Sequence, residues 1–182
     1  MNYSSADKAF VFNGTDDYIS GRLNNTGDLS FTVSIWFYET VSNENTLWMI
    51  GSGSSSANPN PSIALAINST GSLDLFIFSG LECRLSTFRA TYGTHKWHNV
   101  VCTRVGKTLK YFINGVQQNI TLTGADEGLS LAANTVFNIG ARTGNQLGQK
   151  PFQGFISNFK LYDTVLTAEE VKTLYDMGRC DE

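Results

Sequence analysis

The stretch Phe31-Thr32-Val33-Ser34-Ile35-Trp36-Phe37 decides the fold class of this chain. Its odd-numbered residues are all apolar, and Thr32 and Ser34 fall on the opposite face. The pattern recurs further along, where Leu109, Tyr111 and Ile113 alternate with polar residues. A period of two is that of a β-strand with one face in a core and the other towards solvent.

Short apolar runs of this kind are separated by turn residues along most of the chain. Asn114-Gly115 between two runs predicts a two-residue hairpin, because both residue types tolerate positive φ. Thr70-Gly71 and Val105-Gly106 are expected to turn neighbouring strands. Strands are predicted at Ala9–Phe12, Phe31–Glu39, Thr46–Gly51, Ser62–Asn68, Ser72–Phe78, Leu85–Ala90, Trp97–Arg104, Thr108–Asn114, Val116–Leu122, Thr135–Gly140 and Phe155–Tyr162. With no helical segments between them, these strands predict an all-β antiparallel sandwich or barrel.

One segment near the end has a helical pattern. Thr167-Ala168-Glu169-Glu170 matches a capping box, in which Thr167 caps the first turn and Glu170 reaches back to its amide. Val171, Leu174 and Tyr175 then lie on one face, and Gly178 supplies the stop. A helix is therefore predicted over about residues 167–177, and we expect it to cover one end of the sandwich.

Length and composition limit the remaining choices. The chain has 182 residues, which predicts a single domain over residues 1–182. Thirteen basic and sixteen acidic residues give a net charge of −3 without any basic cluster, which disfavours nucleic-acid binding. No apolar run approaches the ~18 residues of a membrane span. The N-terminal residues lack a basic and then apolar signal-peptide pattern.

Several motifs, taken in order, resemble laminin-G-like domains of the concanavalin A-like jelly-roll superfamily. They are Phe12-Asn13-Gly14-Thr15-Asp16-Asp17-Tyr18-Ile19, the Phe31–Phe37 strand, Trp97-His98-Asn99-Val100-Val101-Cys102-Thr103, Leu109–Gly115, and the run from Phe152 through Tyr162 into the helix. The resemblance covers nearly the whole chain. It implies a jelly-roll β-sandwich with a short C-terminal helix, but the fold hosts lectins, adhesion modules, glycanases and structural domains.

The sequence offers no candidate catalytic residues. The glycanase branch of the superfamily carries Glu-x-Asp-x-x-Glu, whose paired carboxylates act as nucleophile and acid/base. None of the seven glutamates has an Asp two positions on and a second Glu five positions on. No nucleophile elbow, phosphate loop or His-Glu-x-x-His motif is present either. We therefore expect a protein without enzymatic activity.

A calcium ion is implied by the resemblance, since many relatives hold Ca²⁺ with the opening turn and a carboxylate in the last strand. Asp16 and Asp17 match the first part of that arrangement, and Asn158 stands where relatives often have Asp. Calcium takes six to eight oxygen ligands, and an amide oxygen supplies one without a charge. The alternative is that the two aspartates only cap a turn.

The residues proposed for ligand contact are planar or amide side chains on or beside predicted loops. The long Ser- and Asn-rich segment after Gly51 is the best loop candidate, because long loops on a rigid sandwich often carry binding sites. Trp48, just ahead of it, is the candidate aromatic platform for a sugar ring, with burial in the core as the alternative. The full set is Trp48, Asn58, Asn60, Tyr92, His95 and Asn145.

Two classes of function remain open. The first is a non-catalytic binding or adhesion module that recognises glycans through loops at one rim. The second is a structural surface component, such as a phage or virus decoration, fibre or tail protein, whose partners are other proteins and which forms homo-oligomers or assembles into a virion. Either class predicts an extracellular or virion-surface location, with no membrane insertion.

Overall fold

In the residues that it describes, the computed structural model has eighteen strands and one helix. It describes residues 1–24, 27–28, 30–41, 43–51, 54–55, 58–59, 62–79, 82–88, 93–123, 130–131, 134–142 and 149–179. The elements are β1 Asn2–Ser4, β2 Ala9–Asn13, β3 Ile19–Leu23, β4 Gly27–Asp28, β5 Phe31–Glu39, β6 Asn45–Gly51, β7 Ser54–Ser55, β8 Asn58–Pro59, β9 Ser62–Ile67, β10 Leu73–Ser79, β11 Glu82–Phe88, β12 Trp97–Val105, β13 Thr108–Ile113, β14 Val116–Gln117, β15 Thr121–Thr123, β16 Ser130–Leu131, β17 Thr135–Ile139, β18 Gln153–Tyr162 and α1 Ala168–Asp176.

Two seven-stranded antiparallel sheets face each other, which confirms the predicted jelly-roll sandwich. Sheet 1 has the order β1-β2-β18-β5-β12-β13-β14, and sheet 2 has the order β15-β11-β10-β9-β6-β17-β3. One apolar cluster lies between them, with Phe31, Val33 and Ile35 from sheet 1 packed against strands β6, β9 and β10 of sheet 2. The alternation in the Phe31–Phe37 stretch therefore positions one face of β5 in the core, as predicted.

The predicted hairpins are present. Asn114 and Gly115 adopt φ values of 49° and 75°, and Ile113 pairs with Val116 across the turn. Gly71, at φ 74°, lies in the turn between β9 and β10, and Gly106, at φ 53°, in that between β12 and β13.

The predicted strand at Val116–Leu122 is wrong as a single element. Its first part, β14, ends sheet 1, and its second part, β15, ends sheet 2. The chain crosses between the sheets after Gln117, and the polar residues Gln118 and Asn119 mark the break that the single predicted strand ignored. The sequence pattern does not predict strand β3, because Gly21 stands where the alternation between Ile19 and Leu23 requires an apolar residue.

The helix lies on the outer face of sheet 1, so the expectation that it covers one end of the sandwich is wrong. Its capping box forms as predicted, with the Glu170 amide donating to Thr167 Oγ1 at 3.2 Å and the Thr167 amide donating to Glu170 Oε2 at 2.8 Å. Val171 packs on Val101 and Phe112 in a second, smaller apolar cluster.

Two further aromatic contacts hold the C-terminal segment against the same face. The Tyr175 ring stacks on Trp36 with centroids 5.6 Å apart, and the Arg179 guanidinium lies 3.7 Å from the centroid of Trp97. The outer face of sheet 1 is thus occupied by the chain itself over these positions. In the described part of the chain, no helix is long and apolar enough to cross a membrane.

Candidate functional site

The prediction that Trp48 is an exposed aromatic platform for a sugar ring is wrong. Its side chain is 0% exposed and belongs to the apolar cluster between the sheets. The cause is a bulge in β6: pairing with β9 shifts between Thr46 and Trp48, so Leu47 and Trp48 both belong to that core cluster. We therefore exclude Trp48 from the ligand site.

The same register identifies which side chains of sheet 2 point away from the core. Directly paired residues share a face, and Trp48 pairs with Leu65 of the core. The neighbouring pair, Met49 with Ala64, therefore faces outward. By the same rule the outward-facing residues of the four central strands include Thr46, Met49, Ser62, Ala64, Ala66, Asp74, Phe76 and Asn138.

Four of these outward-facing residues carry buried oxygens that lack a hydrogen-bond partner: Thr46 Oγ1, Ser62 Oγ, Asp74 Oδ1 and Asn138 Oδ1. All four side chains are at least nine-tenths buried. Each buried polar atom without a partner costs about 1–3 kcal/mol, so most native structures avoid such a group. Their shared face makes this side of sheet 2 the strongest candidate site among the described residues.

Asp74 and Phe76 stand next to each other on this face. They are two positions apart on β10, which places them about 7 Å from each other along the strand. Asn68 Nδ2 donates to Asp74 Oδ2 at 3.0 Å, which orients the carboxylate and leaves Oδ1 without a partner. The Phe76 ring is half-buried. The Asp74 carboxylate and the Phe76 ring are thus neighbours on the same face of β10.

Small side chains lie beside this pair. Ala66 separates Thr46 from Asp74 in one row, and Ala64 separates Met49 from Phe76 in the next. Since neighbouring strands are about 4.8 Å apart, Thr46 and Asp74 stand about 10 Å apart, and the alanines between the rows, Ala64 and Ala66, are buried. Sequence reasoning missed this site, although Asp74 in the middle of the apolar run Ser72–Phe78 was a signal for it.

The remaining predicted ligand residues are not brought together by the described structure. His95 is exposed, with φ at 60°, and its amide donates to the Glu39 carbonyl at 2.9 Å, at the end of the sandwich where β6 begins. Asn58 lies in β8, which is reached from the opposite end of β6. Nothing is described of the Asn58 side chain, and Asn60, Tyr92 and Asn145 lie outside the described residues, so their roles stay predictions.

Asp16 and Asp17 fold back on the turn that contains them. Asn13 Oδ1 accepts the amides of Thr15, Asp16 and Asp17 at 2.8–3.3 Å, and Asn13 Nδ2 donates to Asp16 Oδ1 at 2.7 Å. Asp17 Oδ2 accepts the Asn13 amide at 3.1 Å, and its Oδ1 lies 2.5 Å from the Met1 ammonium. These contacts match the turn-cap alternative.

The prediction that Asn158 shares a calcium ion with Asp16 and Asp17 is wrong. Asn13 pairs with Gln153, whereas Ser157 Oγ donates to the Lys8 carbonyl at 3.2 Å, at the other end of β2. Five residues of strand separate these two ends, a distance of about 16 Å. Among the described residues, no three His, Cys, Asp or Glu gather as a metal site. Calcium at Asp16 and Asp17 stays a prediction.

A buried polar pair lies at the end of the sandwich near His95. The Glu39 side chain is 1% exposed, and Asn45 Nδ2 donates to its Oε1 at 3.1 Å. Burial raises the pKa of Glu39, against smaller lowering effects from hydrogen bonds to Asn45 and Asn43 and from the charge of His95. Burial also lowers the pKa of His98, whose ring contacts the Gly93 carbonyl at 2.9 Å.

The model of a family described as the concanavalin A-like lectin/glucanases superfamily matches residues 13–172. The chain belongs to this superfamily. No curated protein sequence matches the chain.

Several solved structures share the fold at low identity. A heptameric SAP-like pentraxin from Limulus polyphemus has a TM-score of 0.68 at 17% identity, with 94% of this chain and 83% of that chain covered. Domain 4 of AbnA, a GH43 extracellular arabinanase from Geobacillus stearothermophilus, has a TM-score of 0.67 at 22% identity, covering 96% of this chain and 79% of that chain. The CBM40 module of a Ruminococcus gnavus sialidase has a TM-score of 0.66 at 17% identity, covering 88% of this chain and 97% of that chain.

Proposed function

We propose that this superfamily member is a non-catalytic glycan-binding module whose ligand lies on the outer face of sheet 2. The observation that carries the proposal is the Asp74 carboxylate oxygen without a partner, beside the half-buried ring of Phe76 and above the small residues Ala64 and Ala66. The opposite outer face is taken by helix α1.

The chemistry of this face suits a sugar. An aromatic ring packs on the apolar face of a pyranose or furanose, and a few fixed polar groups set its orientation. The unpartnered atoms of Thr46, Ser62, Asp74 and Asn138 are all oxygens, so they accept hydrogen bonds that sugar hydroxyls donate. A ligand that donates hydrogen bonds to these oxygens removes their desolvation cost of about 1–3 kcal/mol each.

Two of the related structures are described with glycans. The AbnA domain is in complex with arabinotriose, and the Ruminococcus gnavus module is bound to α2,3-sialyllactose. They support glycan binding by domains with this fold. AbnA is an extracellular enzyme, which favours an extracellular location for this chain.

A glycan array probed with the intact chain tests the proposal. We expect binding to at least one neutral oligosaccharide, and loss of that binding in Phe76→Ala with the chain still folded by circular dichroism. Tyr3→Ala is the matched control, because it removes an exposed ring from the edge of the other sheet. Equal binding by wild type and Phe76→Ala would contradict the assigned site.

The second candidate is a structural surface component, such as a phage or virus decoration, fibre or tail protein. It is favoured by the exposed edge of sheet 1, where Tyr3 is 58% and Phe10 is 40% exposed and their rings contact each other at 5.4 Å. Exposed apolar residues at a sheet edge promote association between chains. Light scattering distinguishes the two candidates, because an assembly component forms a homo-oligomer that dissociates in the Tyr3→Ser and Phe10→Ser variants. Such a component also gives no signal on the glycan array.

A further inference from the structure

We infer that the outer face of sheet 2 selects neutral glycans and rejects those with a terminal carboxylate, such as sialylated glycans. This inference rests on the proposed function and names the class of ligand. It follows from the charges of the groups on this face and from whether those groups donate or accept hydrogen bonds.

The central strands of sheet 2 contain no cationic residue. Residues 23–83 have no Lys and no Arg, and this stretch contributes the whole of β6, β9 and β10. A carboxylate in a protein site is normally held by a bidentate Arg or a Lys ammonium. A carboxylated sugar would therefore find no such partner along these three strands.

The described cations that border this face have acceptors of their own. Arg22 Nη1 donates to the Asn134 carbonyl at 3.0 Å. Lys150 Nζ and Arg142 Nη2 both approach Glu44, at 2.7 Å and 3.8 Å. Drawing any of them to a ligand breaks a contact that the fold already makes.

The negative charge of Asp74 on this face is also unfavourable for a sugar that carries a carboxylate. Asp74 Oδ1 is buried without a partner, and the other unpartnered atoms on the face are oxygens that only accept or, for the hydroxyls, also donate one proton. A second carboxylate placed against Asp74 adds a like-charge contact in a desolvated site, which is a strong element of rejection. Neutral hydroxyls meet the same oxygens as donors.

Matched pairs of glycans test this inference. Lactose and α2,3-sialyllactose differ by one sialic acid, and the array carries further neutral oligosaccharides beside their sialylated forms. For the wild-type chain we expect each sialylated form to bind at least about tenfold more weakly than its neutral parent by calorimetry, a difference of about 1.4 kcal/mol.

Asp74→Asn supplies the decisive variant, because it removes the charge and keeps the shape of the side chain. We expect it to reduce the difference in binding affinity between each neutral glycan and its sialylated form. Asp163→Asn makes the same charge change at an exposed position beyond β18 and is expected to leave that difference unchanged. Binding of sialylated forms as tightly as neutral ones, or an Asp74→Asn variant with the wild-type gap, would overturn this inference alone. Absence of binding to every glycan would instead overturn the proposed function.

Discussion

Replacement of Trp48 separates a core role from a ligand role more sharply than any other substitution in this chain. The side chain is 0% exposed. A buried aromatic ring removes about 150–250 Å² from water. At about 25 cal/mol per Å² this contributes about 4–6 kcal/mol. Trp48→Ala is therefore expected to lower the free energy of unfolding by about 3–5 kcal/mol, once partial collapse of the cavity is included.

Trp48→Phe is the informative companion, because two effects of opposite sign nearly cancel. The smaller ring loses about two methylene equivalents of packing, or about 1.6 kcal/mol. However, Trp48 Nε1 is buried without a hydrogen-bond partner, and its removal recovers about 1–3 kcal/mol of desolvation cost. We expect the stability of Trp48→Phe to lie within about 1 kcal/mol of the wild type.

Urea unfolding followed by circular dichroism measures both changes, and a glycan array measures binding by the folded Trp48→Phe variant. A Trp48→Ala variant with wild-type stability would refute the assignment of the ring to the core. A stable Trp48→Phe variant that no longer binds glycans would refute the exclusion of Trp48 from the ligand site.

Two other predictions concern buried groups that the fold constrains. Because burial raises the pKa of Glu39, the folded state binds the proton more tightly than the unfolded state, so stability is full below the unfolded value of 4.5 and is lost as the pH rises through the folded pKa. Glu39→Gln should therefore raise the melting temperature at pH 7, as measured by scanning calorimetry, and this increase should vanish near pH 4. An increase in melting temperature that does not depend on pH would contradict the explanation by the raised pKa of Glu39. Gly154 has φ at 144°, and a Cβ there would lie 2.1 Å from the Tyr38 carbonyl, so Gly154→Ala should destabilise the chain severely in urea titrations. Gly71→Ala is its control, since a Cβ there meets nothing within 4 Å and only the positive φ costs about 1–2 kcal/mol; equal losses would show that the clash is relieved.

Sequence patterns predicted those parts of the fold that depend on local periodicity. The alternation from Phe31 to Phe37 assigned β5, and the capping box at Thr167 assigned the start of the helix within one residue. Family motifs then gave the jelly-roll arrangement. These signals are local, and the structure confirms them.

The candidate site could not be predicted in the same way, because it depends on register. The bulge between Thr46 and Trp48 turns Trp48 into the core, and no residue type in that run announces it. Likewise, Asp16 and Asn158 were grouped by resemblance, whereas the pairing of β2 with β18 sets them at opposite ends of a strand. Only the pairing of strands brings Thr46, Ala66 and Asp74 into one row.

The position of β18 in sheet 1 affects how the chain folds during synthesis. This strand lies between β2 and β5, so residues 153–162 fill a gap between strands whose residues were synthesised more than a hundred positions earlier. Pairings of such sequence separation form slowly, since a long loop must close before any contact rewards it. During synthesis the edges of β2 and β5 that β18 pairs with stay unpaired until β18 has emerged, and unpaired strand edges are templates for association with another chain.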